Sequence, residues 1–428
     1  MGLKVLIITY YWPPAGGPGV QRWLKFVKYL PDFNIEPIVY CPENPNYPIV
    51  DDSLISQIPK DITILKQPIS EPYGLANVFS KKSSKKISSG VIPKAKKQSF
   101  LEKLMLYVRG NYFIPDARKN WIKPSVKFLS EYIKENHIET VITTGPPHSL
   151  HLIGLHLKEK LNIKWLADFR DPWTTIGYHK DLKLTKSSQE KHNALESAVL
   201  NKADQILVTS FNTQKEFSTK TNQPITVITN GYDSHSVRVE GKDESFTFSH
   251  IGSLLSERNP KVLWEVFSEL VAENKEFSKL FQLNLIGVVS DDVVESIHNY
   301  GLKNHLNIVG YVSHNEAIKF QMQSQILSLI EIDSEDTKAI IPGKLFEYMI
   351  SETPILAIGP EESDIQKIIA STNTGNYYSY NQKEELKLQV LNYFDAYQNN
   401  SLEVNAIGLQ PYSRKALTKK LADLIASM

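Results

Sequence analysis

The stretch LKVLIITYYWPPAGGPGVQRWLKFVKYL, Leu3–Leu30, sets the frame for the whole chain. Leu3–Thr9 is an apolar, β-branched run that predicts a strand buried on both faces. Gly16-Gly17-Pro18-Gly19 interrupts it, and Val20–Leu30 has the amphipathic pattern of a helix. A glycine loop between a first strand and its helix lets backbone N–H groups approach a phosphate, with the positive helix end behind them. The loop lacks the GxGxxG spacing and the GK[ST] of a Walker loop, and no acid at the end of the second strand suits a ribose, which argues against a nicotinamide cofactor. The plainer reading of the same residues is a tight turn.

Outward from this stretch the alternation continues. Ile35–Cys41, Ile62–Lys66, Thr140–Thr144, Lys164–Phe169 and Gln205–Thr209 read as strands, and Lys119–Glu135, Ser149–Lys160 and Gln189–Ala198 as helices. Such alternation predicts an α/β fold with a parallel sheet covered on both faces. The pattern restarts at Phe246–Ile251. Val262–Ala272, Leu283–Ile286, Asp292–Tyr300, Leu306–Val309, Ser313–Gln323, Ile326–Ile332, Lys344–Ile350, Ile355–Ile358 and Ile365–Ala370 carry it on. Between the halves Asn230–Ser245 is polar, with Asn230-Gly231 and Asp233, and reads as a hinge. The expected organisation is therefore one Rossmann-like domain over 1–232, a second over 233–410, and a C-terminal segment, 411–428, that crosses back to the first.

The composition agrees. The chain has 428 residues, of which 41% are hydrophobic and 22% charged, enough for two sizeable cores. Lys+Arg 48 against Asp+Glu 47 leaves a net charge of +1, so no nucleic-acid partner is expected. The single cysteine, Cys41, excludes a disulfide scaffold and suits a reducing, cytoplasmic setting. No run is long and apolar enough for a membrane span, and Pro13-Pro14 with the glycine loop breaks any signal-peptide helix. One segment departs from the pattern. Tyr73–Leu101, a basic insertion at about 74–101, holds Lys81, Lys82, Lys85, Lys86, Lys94, Lys96 and Lys97 and no acidic residue. It reads either as a solvated loop or, with the amphipathic stretch Phe100–Val108 beside it, as a contact with an anionic membrane surface.

Four stretches carry candidate chemistry. ADFRDPW, Ala167–Trp173, puts Asp168, Arg170 and Asp171 at the C-terminal end of a strand, where open α/β sheets bind ligands. They read as a buried Arg–Asp pair or as an acceptor-side carboxylate or general base with a charge partner. TTGPPH, Thr143–His148, has the same placement, and His148 falls at a helix N-terminus, where imidazolium is disfavoured. IGSLLSERNP, Ile251–Pro260, supplies Gly252 and Arg258, the latter suited to a diphosphate or to plain solvent. In IPGKLFEYMISETPILAIG, Ile341–Gly359, Lys344 and Glu347 share one face of a helix. Lysine in a first helical turn favours a bound anion, and a carboxylate on the same face can accept from vicinal ribose hydroxyls. An i, i+3 surface ion pair is the competing explanation.

Together these stretches resemble the family 4 glycosyltransferases of GT-B architecture, two Rossmann-like domains with parallel sheets facing an interdomain cleft. They are most similar to the bacterial subgroup that builds capsule, O-antigen or exopolysaccharide. YYWPPAGGPGVQRW, TTGPPHS, DFRDPW, VITNGYD, GSLLSERNP, LNIVGYVSHNEAI and PGKLFEYM…TPILAIG occur in the order of that subgroup's signatures and span nearly the whole chain. The resemblance implies donor binding by Gly16, Gly17, Gly252, Arg258, Lys344 and Glu347. Glu347 matches the ribose-binding second glutamate of a Glu-x7-Glu pair whose first member falls at Ala339. Ser253 stands where an arginine is usual, and Lys344 is read as its replacement. Asp168, Arg170 or Asp171, with His148, occupies the region of the catalytic or acceptor-contacting residue.

The implied reaction is a retaining, hexosyl-type transfer from a nucleotide sugar to a hydroxyl of a saccharide or lipid-linked acceptor at the inner face of the plasma membrane. Cationic side chains stabilise the departing diphosphate, domain closure assembles the site, and no cofactor or metal is expected. Asp333-Ser334-Glu335-Asp336 reads as a solvated loop and not as a metal-binding motif. A nucleotide-sugar epimerase or hydrolase of the same fold, and a non-catalytic nucleotide-sugar-binding subunit, are the alternatives.

Overall fold

The computed structural model describes residues 2–71, 100–180, 182–233, 239 and 241–428; the side chains of 100–103, 178 and 180 are not described. The lysine cluster therefore lies outside the described residues. The chain divides into two compact units, one of Met1–Asn230 with Arg414–Met428 and one of Gly231–Ser413.

In the first unit, strands β1 (Leu3–Ile8), β2 (Ile35–Pro42), β3 (Thr63–Gln67), β4 (Thr140–Gly145), β5 (Lys164–Phe169), β6 (Gln205–Val208) and β7 (Ile225–Val227) form one sheet in the order β3-β2-β1-β4-β5-β6-β7. Every pairing is parallel. Helices α1 (Pro18–Tyr29), α2 (Phe100–Tyr112), α3 (Ile122–Glu135), α4 (Ser149–Lys160), α5 (Gly177–Lys180), α6 (Lys186–Lys202) and α7 (Phe211–Phe217) connect them. The unbroken apolar run of β1 is explained by burial on both sides. Leu6 and Ile8 pack with Val126, Leu129 and Ile153 on one face, while Val5 and Ile7 pack with Trp23, Leu24 and Val27 on the other.

The second unit repeats the plan. Strands β8 (Phe246–Ile251), β9 (Phe281–Ile286), β10 (Leu306–Gly310), β11 (Ile326–Ile330), β12 (Ile355–Gly359) and β13 (Gly375–Ser379) form an all-parallel sheet in the order β10-β9-β8-β11-β12-β13. Its helices are α8 (Lys261–Glu273), α9 (Lys275–Leu280), α10 (Asp291–Asn299), α11 (His314–Gln323), α12 (Lys344–Met349), α13 (Asp364–Thr372) and α14 (Lys383–Gln398). Helix α11 starts cleanly because Ser313 and Glu316 form a reciprocal capping box. The last helix, α15 (Arg414–Ser427), belongs to the first unit. It buries Leu417, Leu421 and Ile425 in the same core as Trp23 and Val27, and Lys420 donates to the Val227 carbonyl at 2.9 Å.

Strand order reverses between β1 and β4 in the first unit and between β8 and β11 in the second. At such a point the loops leave the strand ends in opposite directions and open a crevice. Among the described residues, no helix is long and apolar enough to cross a membrane.

Candidate functional site

In the second unit the crevice at the β8–β11 reversal is lined by a chain of polar contacts. His250, at the end of β8, is almost wholly buried, and its Nδ1 lies 3.1 Å from the Ser328 carbonyl of β11. A carbonyl only accepts, so Nδ1 carries the proton and Nε2 is left bare. Lys344 Nζ fills that position at 3.2 Å and also donates to the Ile251 carbonyl at 3.2 Å. Burial, with Arg258 adding to it and Glu331 opposing it, lowers the Lys344 ammonium to about 7. Burial and the Lys344 charge hold His250 well below the usual histidine range. The expected helix-dipole argument for Lys344 is replaced by this one, since α12 has only six residues.

Gly252, directly after β8, lies over the ammonium; a Cβ there would sit 3.4 Å from Lys344 Nζ. Its φ of +119° is matched by +125° at Gly287 after β9. A Cβ on Gly287 would stand 2.5 Å from the Gly252 carbonyl oxygen, so the two loops interlock through bare backbone.

Arg258 is not a free surface residue. Its Nε and Nη2 lie 3.0 and 2.9 Å from Oε1 of Glu331, a buried carboxylate just past β11. Glu331 Oε1 also receives the Ile332 N–H at 3.0 Å, and the Tyr380 hydroxyl donates to the Glu331 carbonyl at 2.8 Å. Neither His250 nor Glu331 was anticipated. The available signal was a carboxylate at the C-terminal end of an apolar strand, a costly place for a charge without a partner.

Lys344 and Glu347 share a helix face but do not form the i, i+3 ion pair. Lys344 turns to β8, whereas Glu347 Oε2 accepts from Gln321 Nε2 of α11 at 3.2 Å and stands 3.9 Å from the exposed His314 ring. Ala339, eight residues before Glu347, offers no carboxylate. Ser334 of the acidic loop caps the short turn Glu335–Thr337, and no cluster of metal-binding side chains occurs among the described residues.

In the first unit three of the candidate residues have structural contacts that favour the plainer of their two readings. Asp168 is fully buried and accepts three hydrogen bonds: Oδ1 from Arg22 Nη2 at 3.1 Å, and Oδ2 from Trp23 Nε1 at 2.8 Å and Thr144 Oγ1 at 2.7 Å. Arg22 Nη1 continues to the Thr229 carbonyl at 2.8 Å. Asp168 therefore ties α1 to the sheet, and its carboxylate is closed off from solvent. Arg170 pairs with backbone rather than carboxylate, donating to the Gly145 carbonyl at 3.2 Å and to the Pro146 carbonyl. Gly19 exists to admit it, because a Cβ there would fall 1.5 Å from Arg170 Nη1. Gly16 spends its N–H on the Ile49 carbonyl at 3.0 Å, so that amide does not cradle a phosphate. Gly17, at φ +106°, is the turn that lets α1 begin.

His148 and Asp171 have a different setting. Both line a pocket of about 390 Å³ at the ends of β4 and β5, with Tyr11, Phe113, Trp173 and His179. His148 stacks on Trp173 with ring centroids 4.7 Å apart and planes within 3°. Neither of its ring nitrogens has a hydrogen-bond partner among the described residues. Burial and the neighbouring histidines keep it neutral. Burial also pushes the Asp171 carboxyl upward against the pull of Arg170.

No family model and no curated protein matches the chain. Solved structures do. Sucrose-phosphate synthase from Thermosynechococcus elongatus aligns with 12% identity and a TM-score of 0.61 over 99% of this chain and 98% of that one. The lipopolysaccharide outer core galactosyltransferase WaaB aligns with 15% identity and 0.58 over 99% of each. A TarM variant from S. aureus, solved with fondaparinux, alpha-GlcNAc-glycerol and UDP, aligns with 12% identity and 0.55 over 99% of this chain and 96% of that one. At these identities the likeness concerns the fold, which is that of the GT-B glycosyltransferases.

Proposed function

We propose that this chain is a nucleotide-sugar-dependent glycosyltransferase. The observation that carries the proposal is the cluster at the β8–β11 reversal, where Lys344 and Arg258 stand beside the Gly252 loop and Glu347 lies one helical turn from Lys344. Two cations suit a diphosphate, and a partly exposed carboxylate suits ribose hydroxyls, so the group recognised is a nucleoside diphosphate carrying a sugar. The GT-B neighbour that holds UDP supports the same substrate class.

The chemistry follows from those groups. As the glycosidic bond to the diphosphate breaks, negative charge grows on the leaving oxygens. Arg258 is held in orientation by Glu331 and needs little reorganisation to meet that charge. Lys344 sits at the edge of deprotonation and gains a proton when an anion arrives. We assign the acceptor to the first unit, where Asp171 and His148 line a pocket. By resemblance the transfer retains anomeric configuration, the acceptor is a saccharide or lipid-linked saccharide of cell-surface polysaccharide synthesis, and the protein works at the inner face of the membrane without a metal.

The test is incubation of the full chain with UDP-, GDP- and dTDP-sugars and membrane lipid extracts. Acceptor-dependent sugar transfer is expected. Donor turnover without any acceptor identifies an epimerase or hydrolase instead, and binding without turnover identifies a non-catalytic subunit.

A further inference from the structure

We propose that a polar groove on the second unit is a carbohydrate site separate from the donor crevice, one that holds a neutral oligosaccharide chain. The groove lies between the turn after β8, the start of α8 and one side of α10, and it measures about 590 Å³. Arg258 sits between Ser256 and Asn259 in sequence but takes no part in the wall; its guanidinium is bound to Glu331 instead. Binding there uses neither Lys344 nor Glu347, so it stands or falls apart from the glycosyltransferase reading.

The wall supplies the chemistry. Asp292, Glu295, Ser296 and Asn299 recur at spacings of three and four, so α10 turns one polar side to the groove while Val293 and Ile297 are buried in the core. Ser256 Oγ ties the two walls together by donating to Asp292 Oδ1 at 2.8 Å. Hydrogen bonds from the Ser290 and Ser256 hydroxyls hold the Asp292 carboxyl below the usual carboxylate range. On the other wall, Asn259 Oδ1 accepts from Trp264 Nε1 at 2.7 Å, an N–H that can only donate. The Asn259 amide is thereby oriented, and its NH2 is left over as a donor. Lys261, Glu295, Ser296, Asn299 and Tyr300 line the same groove, and their side chains make no hydrogen bond or ion pair among the described residues. Opposite charges, Lys261 and Glu295, thus share the groove without pairing. A phosphate that met Lys261 would also meet two carboxylates, and a metal cation that met the carboxylates would also meet an ammonium. A hydroxyl avoids both conflicts, since it donates to Asp292 or Glu295 and accepts from Lys261 or Asn259. A saccharide chain carries many such hydroxyls, and the partly buried Tyr300 ring offers an apolar edge to its C–H side. Small-molecule sites of this volume usually have mainly apolar walls, so the polarity here selects a ligand that is polar along its length.

The test uses the full chain. Calorimetry follows maltotriose, cellotriose and chitotriose, with UDP, inorganic pyrophosphate and calcium chloride as controls, on the wild type, on the Glu295→Ala/Asn299→Ala double variant and on Ser296→Trp. Saturable binding of at least one trisaccharide is expected. The double variant changes two exposed helix positions and should weaken that trisaccharide by roughly tenfold or more. Ser296→Trp, which fills the groove from its wall, should abolish the binding, and the double variant decides the matter if Ser296→Trp does not fold. UDP affinity should be the same in all three proteins; a wild type that binds the trisaccharide but not UDP would overturn the donor reading and leave this groove standing. The lack of saturable binding by any trisaccharide, trisaccharide affinity indifferent to the double variant, or pyrophosphate or calcium binding that the double variant removes overturns the proposal.

Discussion

Lys344 Nζ stands 3.2 Å from Nε2 of His250, a ring whose opposite nitrogen is tied to the Ser328 carbonyl at 3.1 Å. The imidazole can therefore only accept from the lysine, and the lysine is the group that titrates. Its pKa of about 7 means that the amine is largely neutral above that pH in the free protein. An anion draws the proton back, so binding takes up a proton and weakens as pH rises. Nucleoside diphosphate affinity is expected to fall between pH 7 and 9 by up to about tenfold per pH unit. Lys344→Arg, always charged, should flatten that profile. Calorimetry in buffers of different ionisation enthalpy reads the proton uptake directly.

Glu347 is partly exposed and makes one hydrogen bond, to Gln321. Glu347→Gln should leave the Tm nearly unchanged while weakening nucleoside diphosphate binding by about tenfold, roughly 1.4 kcal/mol. A large loss of Tm with unchanged affinity would assign the residue to the scaffold.

Asp168 and Asp171 are three residues apart and should behave oppositely. Asp168→Asn strips the charge partner from buried Arg22 and should cost about 3–5 kcal/mol in denaturant unfolding. Asp171→Asn removes a carboxylate that burial already disfavours, and should leave stability little changed while lowering transferase activity.

Gly287→Ala places a Cβ 2.5 Å from the Gly252 carbonyl oxygen at a φ of +125°. Backbone meets backbone there, so the Gly252 loop must shift off Lys344. A stability loss of roughly 1–3 kcal/mol is expected, together with weaker nucleotide binding. Equal binding by the variant would show that the loop's position over Lys344 is unimportant.

Most of the fold could be read from the chain. The buried parallel strands Lys164–Phe169 and Phe246–Ile251 occupy the spans expected from the sequence. Elements with weak patterns escaped: β7 has three residues, β13 (GNYYS) is polar and only partly buried, and α14 has charges around much of its circumference. At the proposed site, Lys344, Glu347, Gly252 and Arg258 could be nominated from the sequence because their spacing is local. His250 and Glu331 could not be, because their roles depend on the pairing of β8 with β11, residues far apart in sequence. The same reason hid Arg22, whose partner Asp168 lies 146 positions away. Gly19 looked like part of a phosphate loop, but only the tertiary approach of Arg170 shows what the missing Cβ is for.

The central claim, a nucleoside diphosphate held by Lys344, Arg258 and Glu347, is tested most directly by titrating UDP, GDP and dTDP into the full chain at pH 6.5. One of them should bind saturably, and the Lys344→Ala/Glu347→Gln double variant should lose at least a hundredfold in affinity while keeping its Tm. If none of the three binds, or if the double variant binds as tightly as the wild type, the donor site is not where these residues meet.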